Sequence, residues 1–314
     1  MPDAPWITIA IPSYNRAELL ERAIESVRNQ TDTGWELFIT DDGSSDGAWE
    51  RAVAAEGRDA RIHAERNPQN LGLAKNFRFA SEHGTAPYLL LLAADDFLDP
   101  TFLMRVREVI TEQSDLGLIC GRRVHYIART GKKRFYDTPL VGRFEAGRTT
   151  ARALRNGNLY GLYSSVVVRR VALEDVGGIR EDNPWAGDYE AWVRIAARRP
   201  IYFLHQAMLF QHIDGSTQTS HFVESGQLVR YEAETLDRLL ADAAVQRAIN
   251  TRDQEAAQRR IVALHYIIRL YLMFKRSHGK VNGSPGGDTA FGSDFVETVP
   301  TIMRLLWNRW RLSY

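Results

Sequence analysis

The stretch Tyr88-Leu-Leu-Leu-Leu-Ala-Ala-Asp-Asp-Phe-Leu-Asp-Pro100 decides how the rest of the sequence is interpreted. The apolar run at 88–94 is typical of a strand that is buried on both faces of a sheet. Two acids, Asp95 and Asp96, follow this strand, and open α/β sheets bind ligands at the carboxyl ends of their strands. Because adjacent carboxylates repel each other unless a cation or donors lie between them, the stretch predicts a divalent ion that holds a phosphate.

Extended segments alternate with helical segments on the amino-terminal side of this stretch. Strands are predicted at 7–11, at 35–40 and, more weakly, at 61–64, and each is followed by helical spacing or by turn formers that open a helix. This alternation predicts an α/β fold with a doubly wound sheet. The sequence lacks the G-x-G-x-x-G and G-x-x-x-x-G-K-[ST] fingerprints, so the acid pair is the available device for holding phosphates.

The pattern changes after residue 117. Shorter extended pieces and one clear helix at 188–198 predict that the sheet is mixed. Segments with helical spacing at 223–244 and 254–274 predict a helical carboxyl-terminal extension. A Gly-, Ser- and Pro-rich break near 279–293 is predicted to be mobile.

Composition and charge exclude several classes of protein. The 314 residues carry a net charge of +1, which gives no general attraction to nucleic acid. The single cysteine, Cys120, excludes an internal disulfide and a cysteine-based zinc site. No window has the roughly 18 apolar residues of a membrane span, and the first residues lack the features of a secretory signal. We therefore expect a cytoplasmic protein, with the inner face of the cytoplasmic membrane as an alternative location.

Five short motifs occur in a fixed order between residues 6 and 215. They are Pro12-Ser-Tyr-Asn-Arg16, Asp41-Asp-Gly-Ser-Ser-Asp-Gly47, Asn70-Leu-Gly72 with Lys75-Asn76, Asp95-Asp96, and Gly187-Asp188 with Trp192 and Arg194. In this order and spacing they resemble glycosyltransferase family 2, whose members are inverting nucleotide-sugar transferases with the GT-A fold. Each motif alone is weak, whereas five in order are specific.

The resemblance implies a division of the chain into two parts. Residues 1–222 would form the GT-A domain, which is a Rossmann-like, doubly wound mixed sheet. Its nucleotide-binding half would span 1–116 and its acceptor half 117–222. The helical extension would span 223–314.

The resemblance also implies a nucleotide pocket at the ends of the first two strands. The carboxylate of Asp42 would accept a hydrogen bond from the imide N–H of uracil or thymine, a donor that cytosine lacks. Pro12, Tyr14 and Arg16 would line the same pocket. The alternative is that Asp42 and the acid before it only cap the next helix, a role that Asp46 is able to fill.

The acid pair departs from the family pattern at one position. The common form is Asp-x-Asp-Asp, and Ala93 stands at its first position. The resemblance places Asp95 at the metal-ligand position with Asp96 beside it, and the metal would be Mg²⁺ or Mn²⁺ bridging two phosphates. The alternative is a solvated turn in which Asp99 caps a helix.

Two further residues are candidates for the donor site. His212 would contact the diphosphate or the metal if the family register slips by one residue, since strict register places Ile213 there. Lys75 stands where the family commonly has Arg, and either cation could meet a phosphate or an acid.

Asp188 occupies the position of the family's general base. One carboxylate within hydrogen-bond reach of the acceptor hydroxyl suffices for inverting transfer. An acid often precedes this base, and here Gly187 stands in that place. The alternative is a simple helix cap. Glu190 should face away from Asp188.

Two more residues of this helix are open to interpretation. Trp192 fits either the acceptor floor or the core, and Arg194 is expected to pair with a neighbouring acid.

The sequence therefore predicts an inverting, metal-dependent glycosyltransferase. It would move a sugar from a UDP- or dTDP-sugar to a hydroxyl of a glycan or lipid-linked glycan, in the synthesis of a bacterial surface polysaccharide such as O-antigen, capsule or exopolysaccharide. One alternative is a silent nucleotide-sugar-binding module, which Ala93 and Gly187 make conceivable. The other is a nucleotidyltransferase, which should show a Gly-rich basic loop that the sequence lacks.

The carboxyl-terminal segment 302–312 combines arginines with tryptophans and leucines. This composition is typical of an amphipathic helix on an anionic membrane. The alternative is a helix that docks on the body of the protein or on a second subunit of a homodimer.

Overall fold

The computed structural model describes residues 4–127, 132–135, 140–213, 225 and 227–278. Its strands are β1 Ile7–Ser13, β2 Trp35–Asp41, β3 Ile62–Arg66, β4 Tyr88–Leu91, β5 Phe97–Leu98, β6 Leu118–Ile127, β7 Lys132–Phe135, β8 Gly142–Phe144, β9 Val166–Arg169 and β10 Ile201–Ile213. Its helices are α1 Ala17–Arg28, α2 Ala48–Glu56, α3 Leu73–Ser81, α4 Phe102–Glu112, α5 Thr150–Asn156, α6 Arg170–Glu174, α7 Gly187–Ala196, α8 Gln227–Ala241, α9 Ala243–Arg247 and α10 Thr251–His278, with a 3₁₀ turn at Tyr163–Ser165.

These strands form one mixed sheet, which confirms the predicted fold class. The order along the sheet is β3-β2-β1-β4-β9-β6-β10-β5, with β7 beside β6 and β8 beside β10. Strands β1 to β4 run parallel to one another, whereas β9 is antiparallel to β4. All four residues of β4 are buried, because helices cover both faces of the sheet at this central position.

Two apolar cores flank the sheet. One is built on side chains of α1, α2 and α4, and the other on side chains of α3, α5, α6 and α7. Helices α8, α9 and α10 contribute to the second core through Leu236, Leu239, Val245 and Ala257. The carboxyl-terminal helices therefore pack directly on the face that carries α7.

Charged side chains reinforce this packing of the carboxyl-terminal helices. Arg238 of α8 donates to the buried carboxylate of Glu190 on α7 at 2.9 Å. Asp242 accepts hydrogen bonds from Arg194 and Arg198 at 3.0 and 2.9 Å. These contacts join the extension to the first 222 residues, and the domain division remains a prediction.

Asp242 also explains why the predicted helix at 223–244 is two helices. Its backbone is extended, with φ −75° and ψ 121°, and its side chain accepts from the N–H groups of Ala244 and Val245. It is therefore the cap of α9, a role for which Asp is well suited. The predicted break at 279–293 and the basic segment 302–312 lie outside the described residues.

Asp46 fixes the starts of two helices with one carboxylate. Its Oδ1 accepts from the N–H of Ala48 at 3.1 Å, and its Oδ2 accepts from the N–H of Ala17 at 2.8 Å. These two donors belong to the first residues of α2 and α1. Asp46 thus fills the capping role that was the alternative for Asp42.

Replacing Asp46 by Ala should therefore lower the free energy of unfolding by about 1–2 kcal/mol, because two helix-start N–H groups lose their acceptor. Urea denaturation followed by circular dichroism measures the change. Asp237→Ala is the matched control, since Asp237 is exposed on α8 and its loss should change the free energy by less than about 0.5 kcal/mol. Equal stabilities of the two variants would contradict the capping role.

Candidate active site

The predicted site residues lie at one edge of the sheet. Strands β1, β2 and β4 are parallel, so their carboxyl ends share this edge. Because β9 is antiparallel to β4, the 3₁₀ turn before β9 lies at the same edge. In that turn, Ser164 Oγ accepts the N–H of Ala93 at 3.0 Å. The turn is thus fastened to the loop that carries the acid pair.

The loop after β1 holds an exposed aromatic ring in a fixed place. Asn15 has a φ of +50°, a conformation that Asn tolerates better than most residues. Its N–H donates to Ser44 Oγ and its Oδ1 accepts from the N–H of Ser45, both at 2.9 Å. Tyr14 is 49% exposed beside this brace. Its ring is therefore available for contact with a ligand.

The other predicted donor-site residues of this region differ in their surroundings. Pro12 is buried in β1, Arg16 is partly buried before α1, and Lys75 is exposed in the first turn of α3. Pro12 is placed opposite Thr40 in the sheet register. Pro12 is thus a buried residue near the carboxyl end of β1, whereas Lys75 is exposed to solvent. Their contacts with a nucleotide remain predictions.

Asp42 organises the loop that precedes α3. Its Oδ1 accepts from Asn67 Nδ2 and from the N–H of Leu71, both at 2.8 Å, and its Oδ2 accepts from the N–H of Gly72 at 2.9 Å. A carboxylate offers about four acceptor positions, so one position on Oδ2 is left for a ligand. This arrangement is compatible with the predicted bond to a base N–H.

Asp41 shapes the neighbouring turn and does not cap α2. Its Oδ2 accepts from the N–H groups of Gly43 and Ser44 at 3.2 and 3.0 Å, and Arg66 pairs with it at 3.2 Å. Its other oxygen, Oδ1, is buried without a hydrogen-bond partner in the described part of the chain. In the motif 41–47, Asp46 is therefore the acid that caps α2.

The acid pair follows β4 in a tight turn. The N–H of Asp96 donates to the carbonyl oxygen of Ala93 at 3.0 Å. Asp95 is partly exposed, and Asp96 is buried with 4% of its surface accessible. Asp99 accepts from the N–H and the hydroxyl of Thr101 at 2.9 and 2.7 Å. Asp99 thus fixes the turn before α4, since Thr101 precedes the first helical residue Phe102, and this contact involves neither acid of the pair.

The acid pair fits a divalent ion that takes some of its ligands from the protein and others from a substrate. Among the described residues, no group of three or more His, Cys, Asp or Glu side chains is placed to hold a metal. Mg²⁺ is commonly bound by one or two carboxylates together with substrate phosphates and water. Asp95 and Asp96 are such a donor set. His212 lies in β10 opposite Tyr126 of β6, and its side chain lies outside the described part of the chain.

Asp188 is a buried carboxylate in the first turn of α7. Its Oδ1 accepts from the N–H of Tyr189 at 2.6 Å, and its Oδ2 accepts from Asn158 Nδ2 at 3.4 Å. Burial raises the pKa of Asp188 from 3.8 to about 7, and the nearby charge of Arg123 opposes this shift while that of Glu232 adds to it. A pKa near the working pH is what a general base requires.

The other side chains of α7 have structural partners. Glu190 is held by Arg238 and Arg180, and Arg194 pairs with Asp242, which confirms the prediction that it binds an acid. Trp192 is 1% exposed and packs in the core.

Sequence reasoning missed Asn158, the residue that holds Asp188. Its Oδ1 also accepts from the N–H groups of Tyr160 and Gly161, both at 3.2 Å. The run Gly157-Asn158-Leu-Tyr-Gly161 marks a tight polar loop. Its contact is with Asp188, which lies 30 residues later in the sequence, so no local pattern indicates it.

Solved structures with the same architecture identify the class of fold. Staphylococcus aureus TarS, residues 1–349 in complex with UDP-GlcNAc, has a TM-score of 0.63 at 16% identity, covering 88% of this chain and 76% of that one. The mannosyltransferase PcManGT from Pyrobaculum calidifontis, in complex with GDP-Man and Mn²⁺, has a TM-score of 0.59 at 13% identity, covering 97% and 84%. The fold is that of the GT-A glycosyltransferases.

The sequence defines the family more closely. The profile of "Glycosyl transferase family 2" matches residues 8–177, and the chain belongs to that family. A relative from Bacillus subtilis (strain 168), named "Putative teichuronic acid biosynthesis glycosyltransferase TuaG", is 32% identical over 110 residues, which are 35% of this chain and 44% of the relative. The chain thus spans less than half of that relative's length. In the described residues, no helix is both long and apolar enough to cross a membrane.

Proposed function

We propose that this chain is an inverting, metal-dependent glycosyltransferase that moves a sugar from a UDP- or dTDP-sugar to a hydroxyl of a glycan or lipid-linked glycan. The observation that carries the proposal is the placement of the Asp42 turn, the acid pair and Asp188 at one edge of the sheet. The 3₁₀ turn Tyr163–Ser165 links the last two, because Ser164 holds Ala93 while Tyr163 lies against Gly187. One bound donor and one acceptor could contact all three parts.

The residues of this edge divide the reaction between them. Asp42 accepts the imide N–H of the base, and the exposed ring of Tyr14 packs on the nucleotide. Asp188 takes the proton of the acceptor hydroxyl while the hydroxyl oxygen forms its bond to C1 and the bond from C1 to the diphosphate breaks. A carboxylate with a pKa of about 7 is largely ionised just above neutral pH and still basic enough to accept this proton.

Asp95 and Asp96 would hold Mg²⁺ or Mn²⁺ at this edge of the sheet. When bound, such an ion neutralises charge on the departing diphosphate. The protein supplies two carboxylates on a turn whose position is fixed by the Ser164 contact. His212 and Lys75 are proposed as further contacts to the diphosphate.

The names of the similar proteins support the wider setting. The TarS complex contains UDP-GlcNAc, and TuaG is named for teichuronic acid biosynthesis. We accordingly place the protein in the synthesis of a bacterial surface polysaccharide. The PcManGT complex contains GDP-Man with Mn²⁺, so the base must be tested directly.

Calorimetric titration with UDP, dTDP, GDP and CDP, each with Mn²⁺ and with EDTA, tests the proposal. Metal-dependent binding of UDP or dTDP alone is the expected result. Preference for GDP would mean that the pocket at Asp42 recognises a different base. Binding of none of the four would favour the silent-module alternative.

A further inference from the structure

Tyr163 lies between the acid pair and the general base in a fixed orientation. Its ring stacks on Phe77 of α3, with ring centroids 4.5 Å apart, and meets the ring of Trp192 edge-on at 6.2 Å. The next residue, Ser164, is bonded to the acid-pair loop through the N–H of Ala93. The phenol is therefore oriented by two aromatic contacts and one anchored neighbour.

The hydroxyl of Tyr163 occupies the space where a side chain at position 187 would begin. A Cβ atom added to Gly187 would lie 2.9 Å from Tyr163 Oη and 3.2 Å from the carbonyl oxygen of Arg180. Contacts below 3.0 Å are essentially absent for real Cβ atoms. The position of the phenol therefore requires glycine at 187. The phenol oxygen lies beside this residue, which precedes Asp188.

This hydroxyl has no hydrogen-bond partner among the described residues. Tyr163 as a whole is partly buried and packs against the core. Burial and then the charge of Asp188 raise the pKa of the phenol well above its usual range. The group therefore remains a neutral O–H donor whenever Asp188 is ionised. A partly buried tyrosine hydroxyl ordinarily finds a partner, and here the bound substrate can provide it.

We propose that Tyr163 donates a hydrogen bond to the acceptor sugar, at a hydroxyl next to the one that Asp188 deprotonates. The inference rests on the proposed function, because it takes Asp188 as the base. Neighbouring hydroxyls of one sugar ring project close together, and the phenol oxygen lies beside Gly187, the residue that precedes Asp188. The preferred acceptor is then a pyranoside with two adjacent free hydroxyls.

Selectivity among acceptor sugars follows from the same geometry. A site built to bond a substrate hydroxyl rejects the analogue that lacks it, because the polar group of the protein is then left unpaired. Tyr163 would in this way determine which acceptor hydroxyl is glycosylated, since only one orientation of the ring satisfies both groups.

Tyr163→Phe tests the inference, because it removes the hydroxyl and keeps both ring contacts. The acceptors are the p-nitrophenyl pyranosides of glucose, galactose, mannose and N-acetylglucosamine, and the donor is the UDP- or dTDP-sugar that the wild type binds. The expected result is a fall in kcat/KM for the acceptor of about 10–100-fold. Nucleotide affinity and Tm should be unchanged.

Tyr160→Phe is the matched control. Its hydroxyl lies in the core, 3.0 Å from the hydroxyl of Thr149, so its loss should lower Tm and leave acceptor kcat/KM within about twofold. A Tyr163→Phe variant that keeps wild-type kcat/KM would overturn the inference.

Monodeoxy forms of the accepted pyranoside supply the second test. For one of them, the kcat/KM of the wild type should be about 10–100-fold lower than for the parent pyranoside. With Tyr163→Phe, the same deoxy form and the parent should have equal kcat/KM. If Tyr163→Phe shows the same loss of kcat/KM with the deoxy form as the wild type does, the missing substrate hydroxyl contacts a group other than Tyr163 and the inference fails. A wild type that binds UDP or dTDP but accepts none of the pyranosides would also overturn it. A wild type that binds no nucleotide would instead refute the proposed function.

Discussion

Asp188→Asn is expected to lower the rate of sugar transfer by about 10²–10⁴-fold while nucleotide affinity stays within a few-fold. This is the range that a positioned general base contributes. The amide oxygen of Asn can still accept the N–H of Tyr189, so the first turn of α7 is preserved. Initial rates with saturating donor, together with UDP titration of the variant, measure both quantities. A large loss of UDP binding would remove Asp188 from the base role.

The stability of the same variant gives an independent test. Burial raises the folded-state pKa of Asp188 to about 7, so the wild type loses folding free energy as pH rises from about 4 to about 7, where the unfolded state ionises first. Asn cannot ionise. The variant should therefore match the wild type near pH 4 and exceed it by on the order of 4 kcal/mol above pH 7.

Glu190→Gln is the matched control on the same turn of α7. Its carboxylate is as buried as that of Asp188 but is bonded to Arg238 at 2.9 Å. Its loss should lower the free energy of unfolding by about 1–3 kcal/mol and leave transfer within a few-fold. Replacing the two buried carboxylates thus changes the free energy of unfolding in opposite directions.

In the wild type, kcat/KM should rise with pH up to about 7 and then level off. A flat profile would contradict the assignment of Asp188 as the base.

The sequence predicts the amino-terminal half of the fold well because its signals are local. The apolar run before Asp95 is typical of a strand covered on both faces, and β4 is that strand. The turn formers after β2 predict a helix start, and Asp46 caps it. In each case the physical cause lies within a few residues of the effect.

Long-range pairing lies beyond this kind of inference. Strand β9 inserts between β4 and β6, antiparallel to both, and no residue of β9 records which strands it will join. Helices α5 and α6 were not predicted, since segments of seven and five residues are too short for a helical period to stand out.

The properties of the site depend on the same long-range contacts. Asp188 was predicted from its motif, but its pKa is raised mainly by burial, opposed by the N–H of Tyr189, and affected further by Arg123 of β6 and Glu232 of α8. The contact between Tyr163 and Gly187 likewise joins distant segments. The motif predicts Asp188 as the base, while packing determines its pKa.

Asp95→Ala is expected to remove most of the metal dependence of UDP binding. In the wild type, Mn²⁺ should tighten UDP binding by about 10–100-fold over EDTA, because a bridging ion offsets repulsion between the diphosphate and the acid pair. Without Asp95, one carboxylate remains and Ala93 supplies no replacement. The affinities with Mn²⁺ and with EDTA should then differ by less than about threefold.

Asp99→Ala separates loss of a ligand from loss of the fold. Asp99 follows the acid pair by three residues and accepts hydrogen bonds from the N–H and hydroxyl of Thr101, just before α4. Its removal should cost about 1 kcal/mol of stability, because the turn loses two hydrogen bonds, and leave the effect of Mn²⁺ on UDP binding intact. If Asp95→Ala kept the full response to Mn²⁺, the ion would have to bind elsewhere. If both variants lost it, the conformation of the loop rather than the Asp95 carboxylate would control the site.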